Sequence, residues 1–247
     1  MSSVAIYSLK GGVGKSTFAV NLAYLAATNS ARRTLLWDID AQGASGFLLK
    51  NERVGVEARR IFSRDAQPGR LVAATDYVQL DLLAADISLR QLDVQFVQED
   101  ARKRLRKLLR TLQTDYDRII LDCPPGLTEV SEQVFRAVEL IVIPVPPSPL
   151  AMRAYEDVAA HIRRHHPAGP QILPVMSMVD SRRKLHREMV AANPDWHVIP
   201  QASVIERMSV ERAPLAAFAA RHPSVWAFAE LWADVECRLL SMEAPPP

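Results

Sequence analysis

A glycine-rich loop near the N-terminus carries the residues best suited to chemistry. Residues 9–16 read LKGGVGKS, which fits the phosphate-binding pattern G-x-x-x-x-G-K-[ST] except that Leu9 stands at the first glycine. Glycines allow consecutive backbone N–H groups to wrap around a phosphate, and a following helix adds a favourable dipole. Lys15 can then reach the β- and γ-phosphate oxygens, and the Ser16 hydroxyl can ligate Mg²⁺. The loop therefore predicts a nucleotide site formed by Gly11, Gly12, Val13, Gly14, Lys15, Ser16 and Thr17.

Three aspartates end apolar runs that are typical of buried strands. Asp38 and Asp40 end TLLWDID (34–40), and Asp122 ends RIILD. In a parallel sheet the carboxyl ends of the strands meet at one edge, where the glycine loop would also lie. Taken alone, each aspartate could be an ordinary turn residue at a strand end. Together they favour nucleotide hydrolysis, with Asp122 holding Mg²⁺, usually through water.

The segments around these motifs alternate between apolar runs and helical patterns. Predicted strands are VAIYSL (4–9), TLLWDID (34–40), LDLLAAD (80–86), YDRIILDCPPG (116–126), ELIVIPV (139–145), QILPVMSMV (171–179) and WHVIP (196–200). Predicted helices are KSTFAVNLAYLAA, EDARKRLRKLLRTL, a segment near 128–138, PPSPLAMRAYEDVAAHIRRHH with its turn, a basic helix from about Ser181, and two further stretches, the last over 223–241. This alternation predicts an α/β fold, a mainly parallel twisted sheet with helices on both faces. We expect one domain over 1–240 and a disordered, proline-rich tail over 241–247.

Composition narrows the class of protein. The chain has 247 residues, 49% of them apolar, and a net charge of +2, which is ordinary for a protein that buries a core. Two cysteines are too few for a disulfide framework and predict a reducing cytoplasm. No run approaches the roughly 18 apolar residues that span a bilayer, and no secretory signal is evident at the N-terminus. A cytoplasmic protein without a membrane partner is expected.

Three motifs carry a family resemblance. LKGGVGKST, WDIDAQGASG and YDRIILDCPPGL together resemble the ParA/MinD family of deviant Walker-A ATPases, which have the P-loop NTPase fold. VIPVPPSPLAM, SMVDSRRKLHRE and VIPQASVIERM follow in the family's order, so the resemblance covers essentially the whole chain. It implies ATP and Mg²⁺ as cofactors, weak Mg²⁺-dependent ATPase activity and a homodimer that forms with ATP.

The resemblance also implies a role for each matching residue. Lys10 would reach across the dimer to the partner's nucleotide, while Lys15 would bind the phosphates of its own chain's nucleotide. Asp40 matches the acid that positions or activates the attacking water. The remaining assignments are Ser16 and Asp122 for magnesium, Asp38 beside Asp40, PPG at 124–126 as the switch segment that senses the γ-phosphate, and Met178, Pro200 and Gln201 near the adenine.

A physical argument supports the role of Lys10. This lysine immediately precedes the glycine loop and lies outside the cradle that Lys15 already serves. Two loops facing each other would place each Lys10 near the γ-phosphate of the other subunit. Because such a dimer gathers phosphate charge at its interface, cations there would offset the repulsion. ATP binding would then control dimerisation.

Other branches of the family fit the sequence less well. MinD-type proteins end in a basic amphipathic helix that inserts into membranes, whereas this sequence ends ECRLLSMEAPPP. Relatives of the nitrogenase iron protein, and carriers of metal clusters generally, need paired cysteines at the dimer seam, which Cys123 and Cys237 do not suit. The histidines in HIRRHH (161–166) could bind a metal, but a cationic helix end is the favoured interpretation.

ParA-type partition proteins bind DNA nonspecifically as ATP dimers, and basic residues here could do the same. The candidates are Arg182, Arg183, Lys184, Arg187 and Arg207, with Arg212 behind them. Phosphate contacts need only charge and reach, although a solvated helix face is the alternative. A ParB-like or other partner would stimulate hydrolysis, and DNA binding would place the protein at the nucleoid. The segment before Val4 predicts no helix-turn-helix extension. A regulatory switch without DNA binding, of the kind that accompanies cellulose synthesis, remains open.

Overall fold

The computed structural model describes residues 2–50, 69, 71–86, 88–89 and 104–243, and within them one sheet dominates. Its strands are β1 (Ser2–Ile6), β2 (Thr34–Asp38), β3 (Ala73–Ala74), β4 (Leu80–Leu83), β5 (Arg118–Asp122), β6 (Leu140–Val145), β7 (Gln171–Val179) and β8 (His197–Pro200). Their order is β3-β4-β2-β5-β1-β6-β7-β8. The strands pair in parallel, except that β3 pairs antiparallel with β4 at the edge.

Helices cover both faces of the sheet. They are α1 (Lys15–Thr28), α2 (Ala44–Leu48), α3 (Arg104–Leu112), α4 (Glu129–Phe135), α5 (Pro149–His165), α6 (Lys184–Ala192), α7 (Ser203–Glu206), α8 (Met208–Glu211), α9 (Leu215–Ala219) and α10 (Pro223–Glu243). Helices α1 and α10 contribute to one apolar core, whereas α3, α4 and α5 contribute to a second core built on the alternate strand residues. A mainly parallel sheet between two helical layers confirms the predicted fold class.

The register of the three central strands sets the position of the site. Asp122 at the end of β5 lies opposite Asp38 on β2 and opposite Ile6 on β1. The three strands therefore stop at the same level. The glycine loop follows β1 directly, so the topology brings it to the edge where the two aspartates lie.

Strand ends differ from the sequence prediction where the chain turns toward the site. Strand β1 covers Ser2–Ile6 rather than 4–9, and β2 stops at Asp38, which leaves Asp40 in a turn. Strand β4 stops at Leu83 rather than at residue 86. Strands β1, β2 and β5 end together at the level of Asp122, and β4 ends one residue earlier, opposite Trp37. Apolar sequence alone extends further than the pairing does.

Helix ends also differ from the prediction. The basic helix begins at Lys184 rather than near Ser181, because the Asp180 carboxylate caps a turn by accepting the N–H of Arg182. Four helices, α7 to α10, follow β8, whereas the sequence predicted two helical stretches there. The last helix continues through Glu243, so the prediction of a disordered tail from residue 241 is wrong for 241–243. Residues 244–247 lie outside the described residues, as do residues 99–103 of the predicted helix EDARKRLRKLLRTL.

Candidate nucleotide site

The glycine loop has the backbone geometry of a phosphate cradle. Gly12 (φ 73°) and Gly14 (φ 95°) are left-handed, a conformation that side chains with a Cβ rarely adopt. A Cβ built at Gly11 or Gly12 meets nothing within 4 Å, so the space above the loop is open. Gly14 immediately precedes α1, and the first turn of that helix contains no acidic residue. The free N–H groups and the helix dipole can therefore act together on an anion.

A cleft of about 580 Å³ opens over this loop. Its lining combines residues predicted from sequence with residues from α2, α7 and α8: Gly11, Gly12, Gly14, Lys15, Ser16, Thr17, Asp40, Gln42, Ala44, Phe47, Leu48, Pro125, Met178, Ile205, Glu206, Met208 and Ser209. The structure thus brings the predicted phosphate loop, Asp40, the switch segment and Met178 to one cavity. Its size is within the range of small-molecule and cofactor pockets.

The two lysines of the loop differ in their surroundings. Lys15 is 7% exposed, and its Nζ lies 3.5 Å from the backbone carbonyl oxygen of Lys10. The side chain of Lys10 is half-buried, and its ammonium makes no ion pair or hydrogen bond with any other described residue. Lys15 lines the cleft, whereas Lys10 does not; Lys10 lines a separate pocket beside the loop, with Leu9, Val13 and Tyr155.

Asp38 and Asp122 form a buried acidic pair beneath the cleft. Both residues are fully buried. Asp38 accepts the N–H of Asp40 at 3.1 Å and the N–H of Ser45 at 3.0 Å. Asp122 accepts the Ser45 hydroxyl at 2.8 Å through Oδ2, while its Oδ1 has no hydrogen-bond partner in the part of the chain that the structure describes. A buried oxygen without a hydrogen-bond partner costs stability, and a ligand that binds Oδ1 would remove that cost.

Burial perturbs the acidity of both carboxyls. Desolvation raises the pKa of Asp122 to about 6, against the opposing influence of the nearby Ser16 and Ser45 hydroxyls. Desolvation, followed by repulsion from Asp122, raises the pKa of Asp38 well above its usual range. A divalent cation beside this pair would relieve the repulsion. The donor set of carboxylate and hydroxyl oxygens, with the unpaired Oδ1 of Asp122 among them, suits Mg²⁺.

Asp40 and Asp38 play different parts, although they are two residues apart. Asp40 lines the cleft, and its Oδ1 accepts the N–H of Gln42 at 3.0 Å. Asp38 does not line the cleft and is buried. It accepts the N–H groups of Asp40 and Ser45, and these two hydrogen bonds hold the turn that carries Asp40. Asp38 is the last residue of β2 and pairs with Asp122 of β5 inside the sheet, which explains why its side chain is buried.

The switch segment is tied to β1 by a buried tyrosine that the sequence did not single out. Tyr7, one residue past β1, is fully buried and donates its hydroxyl to the carbonyl oxygen of Gly126 at 2.9 Å. Gly126 is left-handed, with φ 95°. Burial raises the pKa of Tyr7, so its hydroxyl stays a donor. Pro125 of the same segment lines the cleft.

The residues predicted near the adenine lie together in a recess beside the loop. Met178, Pro200 and Gln201 share this recess with Gly14 and Thr17, and Ile205, Glu206 and Phe228 are among its other lining residues. Met178 is 39% exposed and left-handed, with φ 56°, which is rare for a residue with a long side chain. Strained backbone of this kind clusters at ligand sites. An exposed thioether beside the loop offers an apolar contact for a flat ring.

The predicted DNA-binding residues lie around the end of β7 and the start of α6. Arg182 forms a bidentate ion pair with Asp180 at 2.9 and 3.0 Å, and Lys184 lies 3.6 Å from Glu188. Arg187 donates to the carbonyl oxygens of Ser181 and Arg182, both at 2.9 Å. Arg183 is exposed and pairs with no acid among the described residues.

Two further basic residues follow β8. Arg207 pairs with Glu211 at 2.5 Å, and its guanidinium lies over the Phe218 ring. Arg212 stacks on Phe47 and donates to the carbonyl oxygen of that residue. Arg212 therefore holds α2 near the cleft.

Ser45 is the functional residue that sequence reasoning missed most clearly. Its hydroxyl binds Asp122 and its N–H binds Asp38, so it bridges the two strand ends. The only available signal was its place seven residues after Asp38, in a turn whose path the sequence does not reveal.

Comparison with known proteins agrees with this geometry. A family model described as an AAA domain matches residues 1–171. The chromosome partitioning protein ParA of Myxococcus xanthus is 37% identical over 58% of this chain and 51% of its own length. The sporulation initiation inhibitor protein Soj of Bacillus subtilis is 32% identical over 76% of each chain.

The fold is shared with a solved relative. The septum site-determining protein MinD of Pyrococcus horikoshii, in complex with Mg-ADP, superposes with a TM-score of 0.78 at 21% identity, covering 99% of both chains. Among the described helices of this chain, none has the length and apolar character needed to cross a membrane. With its phosphate cradle, acidic strand ends and these relatives, the chain belongs to the ParA/MinD family of deviant Walker-A ATPases.

Proposed function

We propose that this protein binds ATP with Mg²⁺ and hydrolyses it slowly. The observation that carries the proposal is the buried, unpaired Oδ1 of Asp122 beneath the open glycine loop. The Ser16 hydroxyl and Asp122 would hold Mg²⁺, directly and through water, and Lys15 would neutralise the phosphate oxygens. The recess around Met178, Pro200 and Gln201 would take the adenine.

Hydrolysis would depend on Asp40 and the switch segment. Asp40 lines the cleft on a turn that Asp38 fixes from below, so its carboxylate can orient a water toward the γ-phosphate. Gly126 is held to β1 by Tyr7, which keeps the switch segment beside the same cleft. Magnesium, when bound, offsets the negative charge that develops on the phosphate oxygens. A single carboxylate without a strong base implies a slow reaction, which a ParB-like or other partner would accelerate.

ATP would also assemble a homodimer. Lys10 directly precedes Gly11 of the phosphate loop, and its ammonium makes no ion pair or hydrogen bond with any other described residue. In a face-to-face dimer it would meet the partner's γ-phosphate and compensate the charge at the interface. Each nucleotide would then contact a Lys10 side chain, that of the other subunit, only in the dimer.

The ATP dimer would bind DNA nonspecifically to partition or position a cargo. Arg183 has no acidic partner among the described residues, and Arg182, Lys184 and Arg187 surround it at the start of α6. The relative named chromosome partitioning protein ParA supports a partition role. The protein would act in the cytoplasm, at the nucleoid when it holds ATP.

A second candidate function follows from the state of these charges. Arg182 is paired with Asp180, Lys184 with Glu188 and Arg207 with Glu211. This partial neutralisation favours a regulatory switch that positions a cargo without binding DNA.

Retention on nonspecific duplex DNA separates the two functions. With ATP the wild type is expected to bind at low salt and to dissociate steeply as salt increases, whereas with ADP it stays free. The variant Arg182→Glu/Arg183→Glu should lose binding but still bind ATP. Arg163→Glu/Arg164→Glu, two exposed charges at the far end of α5, is the matched control and should retain DNA. Equal retention by both variants removes the proposed DNA surface, and no retention of the wild type with ATP favours the switch.

A further inference from the structure

Two histidines and a glutamate converge outside the nucleotide cleft. His161 Nε2 lies 2.6 Å from Glu132 Oε1, and His166 Nε2 lies 3.0 Å from Glu132 Oε2. The three ligand atoms all lie within 4.8 Å of one another. We propose that Glu132, His161 and His166 form a Zn²⁺ site that joins α4 to the end of α5.

The donor set determines the class of metal. Two imidazole nitrogens and one carboxylate oxygen suit Zn²⁺ and similar divalent transition metals, whereas Mg²⁺ prefers oxygen ligands. This site is therefore chemically distinct from the Ser16 and Asp122 pair. In a tetrahedral site with Zn–N bonds of about 2.0–2.1 Å, neighbouring ligand atoms lie about 3.3 Å apart. The observed separations are 2.6 Å to Glu132 Oε1, 3.0 Å to Glu132 Oε2 and at most 4.8 Å within the set of three ligand atoms. Each differs from that spacing by about 1.5 Å or less, so small side-chain rotations would admit the ion.

The surrounding structure holds the histidines in place. His166 lies in a tight turn, where its carbonyl oxygen accepts the N–H of Gly169 at 2.8 Å. A Cβ at Gly169 would lie 2.7 Å from the Cβ of His166, so only glycine allows this approach. The ring of Phe135 packs edge-on against the His166 ring at 5.8 Å. Supported in this way, the ligands lose little freedom when a metal binds.

The site is sheltered but accessible. The side chains of His161, Glu132 and His166 are 24%, 18% and 6% exposed. Arg136 also contacts Glu132 Oε2, at 3.1 Å, but it is 39% exposed and can swing into solvent. Three protein ligands leave a fourth position for water. Arg163, Arg164 and His165 lie in the last turn of α5 and form the predicted cationic helix end. His161 and His166 instead contact the Glu132 carboxylate.

A metal here would link α5 to α4, the helix that directly follows the switch segment. Helix α4 starts three residues after Gly126, and Glu132 lies in its first turns. Zinc would fasten that helix to α5 and so limit how far the segment between β5 and α4 can move. We expect bound zinc to raise the melting temperature of the protein.

Calorimetric titration tests the site directly. Untagged protein is stripped with chelator, saturated with Mg²⁺-ADP to block the phosphate loop, and titrated with ZnCl₂. The expected result is one equivalent of Zn²⁺ bound, and tetrahedral d–d absorption when Co²⁺ replaces it. His161→Asn/His166→Asn should weaken Zn²⁺ binding by at least about 100-fold.

A matched control keeps the test independent of folding. His165, whose ring lies 4.6 Å from that of His161 but which is exposed and not part of the set, serves as His165→Asn. This variant should keep the wild-type affinity, and both variants should keep their circular dichroism and Mg²⁺-ADP binding. The proposal is overturned if the wild type binds no zinc under these conditions, or if the double variant binds it as tightly as His165→Asn does.

Discussion

Asp38 and Asp122 lie opposite each other on neighbouring parallel strands, and both carboxyl groups are fully buried. Ser45 bridges them, with its N–H on Asp38 and its hydroxyl on Asp122. Two acids in contact with the same residue, in the interior, oppose each other's ionisation. The arrangement costs stability in the metal-free protein and makes the edge of the sheet receptive to a cation.

The cost can be measured as a pH dependence. The pKa of Asp122 is raised to about 6, while an unfolded aspartate titrates near about 3.9. The raised pKa of Asp122 therefore does not lower the free energy of unfolding below about pH 4. The loss grows between about pH 4 and pH 6 and reaches its full size above about pH 6. In EDTA, Asp122→Asn should increase the free energy of unfolding at pH 8 by at most about 3 kcal/mol, and the gain should shrink toward pH 4.

Denaturant unfolding of the wild type, Asp122→Asn and the exposed control Asp76→Asn gives these values. The control should change little at any pH, because Asp76 is exposed. Asp122→Asn should also lose the stabilisation that Mg²⁺-ATP gives the wild type. A gain that is equal at pH 4 and pH 8, or no gain at all, would contradict the assigned pKa.

A second prediction concerns the anchor of the last helix. Arg118 on β5 is 1% exposed and pairs with Glu236 at 2.8 and 3.0 Å and with Glu243 at 2.9 Å. Glu236→Leu leaves the Arg118 charge buried with one partner fewer and should destabilise by about 3–5 kcal/mol. Arg118→Leu/Glu236→Leu removes both charges and should recover much of that loss.

Thermal unfolding of the two variants checks the anchor. Arg238→Leu, which removes the half-exposed ion pair with Asp234, is the control and should cost less than about 1 kcal/mol. If Glu236→Leu costs no more than Arg238→Leu, the network does not hold α10 to the sheet.

A third prediction separates binding from chemistry in the cleft. Lys15→Ala removes the cation that faces the phosphates and should weaken ATP binding by roughly 10–100-fold. Lys107→Ala, on the exposed face of α3, should leave binding unchanged. Titration with a fluorescent ATP analogue measures both affinities. Unchanged affinity of Lys15→Ala would remove the nucleotide site from this loop.

A fourth prediction assigns the attacking water to Asp40. Asp40→Ala should reduce ATP hydrolysis by about 10²–10⁴-fold while ATP still binds, because the carboxylate acts on water rather than on the nucleotide. Asp40→Asn keeps an acceptor for the Gln42 N–H and so preserves the turn, yet should be equally slow. Single-turnover hydrolysis is the measurement. An active Asp40→Asn variant would show that Asp40 only shapes the turn.

Local patterns were enough to predict the phosphate loop, whereas long-range pairing was not. The loop needs only its own glycines, lysine and serine between a strand and a helix, all of which are contiguous in sequence. The two-residue strand β3 and the partnership of Arg118 with Glu236, 118 residues apart, depend on packing that no window reveals. Asp38 was placed at the right edge, but its burial depends on the register with β5.

The histidines illustrate the same limit. HIRRHH reads as a basic helix end, and three of its residues behave so. That His161 and His166 share a carboxylate follows only from the packing of α4 beside α5, since Glu132 lies 29 and 34 residues away.

The central claim is that Lys10 completes the nucleotide site of a partner subunit, and the mass of the protein in solution tests it most directly. Light scattering is measured on Asp40→Ala and on Lys10→Ala/Asp40→Ala, each with Mg²⁺-ATP and with Mg²⁺-ADP. The account predicts twice the 27.5 kDa chain mass for Asp40→Ala with ATP only, and the monomer mass for the double variant, which should still bind ATP. A double variant that dimerises with ATP as fully as Asp40→Ala would contradict the account.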